Sequence, residues 1–180
     1  MKNTFYSIFF VLILSAVGTE NSAAAGAKIG LYFPDGMTVY GARTRDFDTD
    51  SGLTFGLFSD LRLGENLLLS PFVDYTSFKN GASDAITLVD FGANIKIKLA
   101  VPGVRLGAGL AAGLGNLEAD PVIGFVSESA NFFLVYNAFA EKDFGNLIGE
   151  AGIRGYTGGN EEDVDIYPGL FLRLGFRFTQ

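Results

Sequence analysis

The side chains in this sequence that could act on another molecule are carboxylates, lysines and arginines, because its 180 residues include no histidine and no cysteine. Histidine is the ordinary base near neutral pH for activating a serine or a water, and cysteine supplies thiolate nucleophiles and soft metal ligands. Without them those mechanisms are closed. A Ser–Lys pair would need Lys96 or Lys98 close to a serine, and the sequence offers no evident partner for either. We expect no catalytic residue, no cofactor and no enzymatic activity. The run Asp46-Phe47-Asp48-Thr49-Asp50 reproduces the first three acids of an EF-hand calcium loop. It then departs, with Ser51 where glycine is wanted and Leu57 in place of the closing glutamate. Asp46, Asp48 and Asp50 are weak candidate ligands, and a solvated acidic loop is the reading the pattern favours.

The remaining charges sit at alternate positions inside apolar segments. Lys28, Arg62, Lys96, Lys98, Arg105, Arg154, Arg173 and Arg177 fall on the polar side of such alternations, as do Asp60, Asp74, Asp90, Glu141 and Glu150. Side chains alternate faces along a strand, so these residues must be carried by strands with one apolar and one mixed face. Residues 166–180 show the pattern best. Ile166, Pro168, Leu170, Leu172, Leu174, Phe176 and Phe178 alternate with Tyr167, Gly169, Phe171, Arg173, Gly175 and Arg177.

The same alternation recurs in residues 27–34, 52–63, 67–78, 85–99, 104–115, 130–144 and 147–157. Between them lie short turns (64–66, 101–103, 145–146) and longer polar stretches (35–51, 79–84, 116–129, 158–165). About eight strands of some 9–11 residues, with connections alternating short and long, describe an all-β, antiparallel up-and-down barrel that spans a membrane. The Leu/Ile/Val/Phe face would meet lipid and the charged face would fill the lumen. A barrel of eight strands is only wide enough for side chains to fill it, so the thirteen charges named above should pair with one another. Phe58, Phe72, Phe133, Phe139 and Phe171 share that lumen and oppose an open path, whereas the glycines of 104–115 favour one. A narrow ion channel is therefore the alternative. A soluble secreted barrel that binds an apolar ligand is a second, although its outer face would be rich in glycine and aromatic residues.

The N-terminus has the form of a secretory address. Lys2 is followed by an apolar core from Phe5 to Val17, then by the small residues Ser22, Ala23, Ala24, Ala25 and Gly26. We place the cleavage after Ala25, which makes residues 1–25 a signal peptide and 26–180 the barrel. The net charge of −7 supplies no basic stripe for nucleic acid. The long connections hold twelve acids (Asp35, Asp46, Asp48, Asp50, Asp84, Glu118, Asp120, Glu128, Glu161, Glu162, Asp163, Asp165) against Arg43, Arg45 and Lys79. Such loops could offer a surface ligand its contacts, or hold divalent cations against lipid phosphates.

Taken together, the strand number, the loop asymmetry and the final strand resemble the small eight-stranded outer-membrane barrels of the OmpA/OmpX type, over essentially the whole chain after residue 25. Tyr167-x-Gly169-x-x-Leu172-x-Leu174 is similar to the polar-x-Gly-x-x-apolar-x-apolar pattern of the terminal strand, followed here by Phe176 and Phe178. The resemblance implies a bacterial outer-membrane location, recognition of that strand by the barrel-assembly machinery, and roles in envelope integrity or adhesion. The enzymes among such barrels are generally built around a histidine, which this chain lacks. Members commonly end on an aromatic residue, whereas Thr179 and Gln180 follow Phe178 here. A lipid-compatible outer face needs no second subunit, so a monomer is expected.

Overall fold

The computed structural model describes residues 22–40, 44–79, 85–117, 131–158 and 163–178. Residues 1–21 of the signal-peptide reading and six of the twelve loop acids lie outside them, whereas residues 22–25 fall in the first strand. Ten strands follow in order: β1 (Ser22–Phe33), β2 (Met37–Tyr40), β3 (Arg45–Phe47), β4 (Gly52–Arg62), β5 (Leu67–Lys79), β6 (Ala85–Lys98), β7 (Val104–Leu117), β8 (Asn131–Phe144), β9 (Leu147–Gly158) and β10 (Asp163–Arg177). Eight of them are long. Each long strand is antiparallel to the next, and β1 closes on β10 in a register running from Gly26↔Arg177 to Phe33↔Leu170. The fold is a closed up-and-down barrel, with a free edge on the long-strand ladder where β10 runs past β1.

Connections at one end are tight. β8 and β9 are joined by Gly145-Asn146 alone, and Gly145 takes a φ of +76°, a left-handed conformation that suits glycine. Gly103 does the same (φ +72°) after Pro102 in the β6–β7 turn. Leu63 and Gly64 donate to the carbonyl of Leu67 to close the β4–β5 turn. The other end carries the long connections.

The stretch 35–51, expected to be a polar loop, contains the β2–β3 hairpin. β2 pairs with the upper part of β10, from Asp163↔Tyr40 to Ile166↔Met37. Its sequence, Met37-Thr38-Val39-Tyr40, is apolar and β-branched enough to be a strand, but too short to reveal a period. Asp50 N–H donates to the Lys79 carbonyl (2.8 Å) and Thr49 Oγ1 donates to the Pro34 carbonyl (3.0 Å), which ties the end of the hairpin to the barrel.

A second departure lies in β10. Its pairing with β9 shifts between Ile166 and Gly169, a bulge that adds one residue and reverses the phase of everything before it. Ile166 was expected on the outer apolar face with Leu170 and Leu172. It is instead fully buried, as is Val164. Pro168, which has no N–H to give the ladder, sits in the bulge, and the Tyr167 N–H turns aside to the Gly36 carbonyl (2.9 Å). β1, for its part, begins before the expected Ala27 and runs through Ala25, whose carbonyl accepts from Phe178 N–H.

The two faces differ sharply. Ile29, Leu53, Leu110, Leu170, Leu172 and Leu174 lie exposed on the outer surface, Leu174 at 71%. Lys28, Asp74, Lys96, Glu141, Arg154 and Arg173 are buried inside. A soluble barrel requires the opposite arrangement, since soluble monomers rarely expose a continuous apolar belt.

Candidate functional site: the charged lumen

Every charge in the lumen is delivered by parity. β1 points Lys28 inward, β5 Asp74, β6 Asp90 and Lys96, β8 Glu141, β9 Glu150 and Arg154, and β10 Arg173 and Arg177. Because the pleat alternates strictly, each residue on the lumen side is flanked along its strand by residues on the outer side.

Glu141 is the hub at the short-turn end. Its Oε2 accepts from Lys28 Nζ (3.2 Å) and Lys96 Nζ (3.0 Å), and its Oε1 from Arg105 Nη1 (2.7 Å) and Arg177 Nη2 (2.8 Å). Lys96 also donates to Asp60 (2.8 Å), Arg177 lies 3.7 Å from Asp60, and both Arg105 and Arg177 donate to Asp143. Higher in the barrel Lys28 pairs with Glu150, which accepts from Arg173 Nε (2.8 Å). Arg173 Nη1 reaches Asp74 (2.6 Å), Asp74 pairs with Arg154, and Arg154 Nη1 donates to Asp90 (3.3 Å). Tyr156 OH donates to the same Asp90 Oδ2 at 3.0 Å, while Asp90 Oδ1 has no partner among the described residues.

These pairs form one unbroken chain along the lumen. Its six acids (Asp60, Asp74, Asp90, Glu141, Asp143, Glu150) match six bases (Lys28, Lys96, Arg105, Arg154, Arg173, Arg177). Buried charge is tolerable only when paired and hydrogen-bonded in this way.

Aromatic rings fill the space between. The Phe58 centroid lies 4.6 Å from Lys28 Nζ and 4.9 Å from Lys96 Nζ, while Phe171 lies 4.6 Å from Arg173 Cζ and 5.5 Å from Arg154 Cζ. Cations over ring faces at these distances gain further stabilisation. The glycines of β7 are covered by neighbours: Phe139 lies over Gly107, Asn94 over Gly109, Asp90 beside Gly113 and Leu88 over Gly115. They let side chains lie flat against the wall and leave no groove along it.

At the long-loop end the lumen turns apolar. Tyr32, Phe78, Ile86, Leu88, Phe133, Val135, Tyr156, Val164 and Ile166 are buried together, and β2 adds Met37 and Val39 from above. Tyr32 packs edge-on against Phe78 (5.7 Å) and Tyr156 (6.1 Å), and its hydroxyl donates to the Arg154 carbonyl (3.1 Å). On the far side of β2, Thr38 Oγ1 donates to Asp46 Oδ1 (2.6 Å) and lies 2.6 Å from the hydroxyl of Tyr167.

Of the thirteen charges expected inside, eleven lie in this network. Arg62 is exposed at the last position of β4, and Lys98, at the end of β6, donates to the Glu65 carbonyl (3.1 Å) in the adjacent turn. Both have the inward parity but lie past the point where the barrel encloses a side chain. Asp143 was missed, although it shares the parity of Glu141 two residues earlier. Asp46, Asp48 and Asp50 do not converge, and no group of three acids able to hold a metal occurs among the described residues. On the extended strand Asp46 is turned to Thr38 instead. Leu172, Leu174, Phe176 and Phe178 lie exposed on the outer surface, Gly169 is buried, and Tyr167 stands at the bulge.

No protein-family profile and no curated protein sequence matches the chain. Solved structures do. The attachment invasion locus protein of Yersinia pestis, crystallised with the heparin analogue sucrose octasulfate, aligns with a TM-score of 0.56 at 16% identity, covering 86% of this chain and 97% of that one. The N-terminal β-barrel domain of Pseudomonas aeruginosa OprF gives 0.54 at 14% identity (87% and 99%), and Neisserial surface protein A gives 0.54 at 16% (88% and 100%). The chain has the fold of the small eight-stranded outer-membrane barrels.

Proposed function

We propose that the protein is a monomeric barrel of the bacterial outer membrane, closed to ions and without catalysis, that holds acidic loops at the cell surface. The observation that carries this reading is the reversed barrel: an apolar belt outside, and inside a network that pairs six acids with six bases. Lipid is the solvent that suits such a belt, and a closed ladder is what lets strands cross it. Residues 1–25 act as the export signal. The short-turn end, with both ends of the barrel, faces the periplasm.

The acidic loops set the chemistry of any surface ligand. With twelve acids against three bases they disfavour a polyanion such as a sulfated sugar and favour a cationic partner or divalent ions shared with lipid phosphates. The exposed Leu172, Leu174, Phe176 and Phe178, with Gly169 and Tyr167, serve as the strand that the assembly machinery reads.

Cell fractionation with electrophoresis tests this. The protein should be recovered in outer membranes and run faster before boiling than after, because closed barrels resist SDS until heated. Recovery in the soluble periplasmic fraction would refute the reading.

A further inference from the structure

The short-turn end carries charges that the lumenal network does not use. Arg62, Lys98 and Lys142 lie there, towards the ends of β4, β6 and β8, and none of them meets a carboxylate among the described residues. Arg62 is exposed. Lys98 Nζ donates to the Glu65 carbonyl in the β4–β5 turn (3.1 Å), and Lys142 Nζ to the Pro102 carbonyl in the β6–β7 turn (2.6 Å). Bonds to neutral carbonyls fix where the two ammonium groups sit and leave their charge uncompensated. Lys142 has the outward parity of Ala140 and Phe144, and its head is carried down to the turn, as a lysine at a membrane edge reaches the headgroups.

The apolar surface continues to the same level. Leu63, Val101, Phe144 and Leu147, in or beside the three short turns, are each more than half exposed. Turns in water are built chiefly from small and polar residues. A rim whose turns are apolar and whose unpaired charges are basic fits a ligand that is apolar in one part and anionic in another. Glu65 is the one exposed acid among the described residues of this end, so three bases outside the network stand against it. The long-connection end has the reverse balance, with six described acids against Arg45 and Lys79.

We infer that the short-turn rim, through Arg62, Lys98 and Lys142, binds the phosphates of anionic phospholipids in the leaflet that faces it. The inference rests on the membrane-barrel reading above and adds which lipid the barrel selects, and at which end. A soluble anion would match the charges but would leave Leu63, Val101, Phe144 and Leu147 in water.

The experiment is spin-label EPR of the refolded full chain in phosphatidylcholine vesicles. Traces of phosphatidylglycerol or phosphatidylcholine labelled on the acyl chain are added, and the motionally restricted fraction reports lipid held at the barrel surface. Phosphatidylglycerol should be preferred about fivefold at low salt, roughly the effect of one basic residue at a membrane surface, and the preference should fade as salt is raised. Arg62→Gln alone should weaken it, and Arg62→Gln with Lys98→Gln and Lys142→Gln should abolish it. Lys79→Gln, at the other end, should leave it in place. Equal restriction of the two lipids by the unmodified chain would overturn the inference, as would a preference that survives the rim substitutions or that Lys79→Gln abolishes. Electrophoresis of the same unmodified sample separates the two claims: a fast-migrating band without a lipid preference refutes the rim alone, whereas absence of that band refutes the barrel on which it rests.

Discussion

Replacing Glu141 with glutamine removes one negative charge at the point where four cations converge, with little change of shape. Each of the four keeps another acid: Lys28 has Glu150, Lys96 has Asp60, and Arg105 and Arg177 share Asp143. No cation is left alone, but five acids then face six bases in a network whose members are mostly buried. Breaking a buried, hydrogen-bonded charge group costs about 3–5 kcal/mol. E141Q should therefore lower the unfolding free energy by about 3 kcal/mol or more, read from urea titration of the refolded protein in lipid vesicles. Glu65→Gln, at an exposed turn, should change it by less than about 0.5 kcal/mol. Adding Lys96→Met to E141Q restores neutrality and should recover part of the loss, so that the two changes are not additive. A change of under about 1 kcal/mol for E141Q, equal to the Glu65 control, would refute the claim that the network bears on stability.

Leu172→Arg places a charge on the outer belt, opposite Ala151 and Leu31, and should cost about 2–4 kcal/mol in the same assay if that surface meets the membrane core. Thr38→Val with Tyr167→Phe removes the hydrogen bonds that fasten β2 at about 1 kcal/mol each. Amide exchange in β2 should quicken while the urea midpoint of the barrel stays in place. Soluble heparin should not bind the refolded protein at physiological salt, and an oligolysine peptide should, with binding lost on raising the salt; calorimetric titration measures both.

Much of the barrel could be read from the sequence because period two is a local property that depends on one solvent outside and one filling inside. Leu170 to Phe178 alternate against Phe171 to Arg177, and the structure has the same two faces. The reading failed where something non-local intervened. The bulge at Tyr167–Pro168 is stabilised by Gly36, more than a hundred residues away, so nothing near Ile166 in sequence tells that its face reverses. β2 is a strand because β10 offers it an edge, and four residues are too few to show a period. Arg62 and Lys98 have the right parity, and only the height of the barrel puts them beyond the lumen. The charged site was legible as a set of residues. Which acid meets which base was not, since Lys28 and Glu150 are brought together by closure of β1 on β10 beside β9.

Planar-bilayer recording of the refolded protein tests the central claim most directly, because in the barrel we propose the charge chain and the apolar cluster above it close the lumen to ions. The trace should stay at the baseline of the bare membrane after insertion is verified by electrophoresis. A reproducible unitary current that persists when the β2–β3 hairpin is shortened would mean that the lumen is open, and would contradict the closed barrel described above.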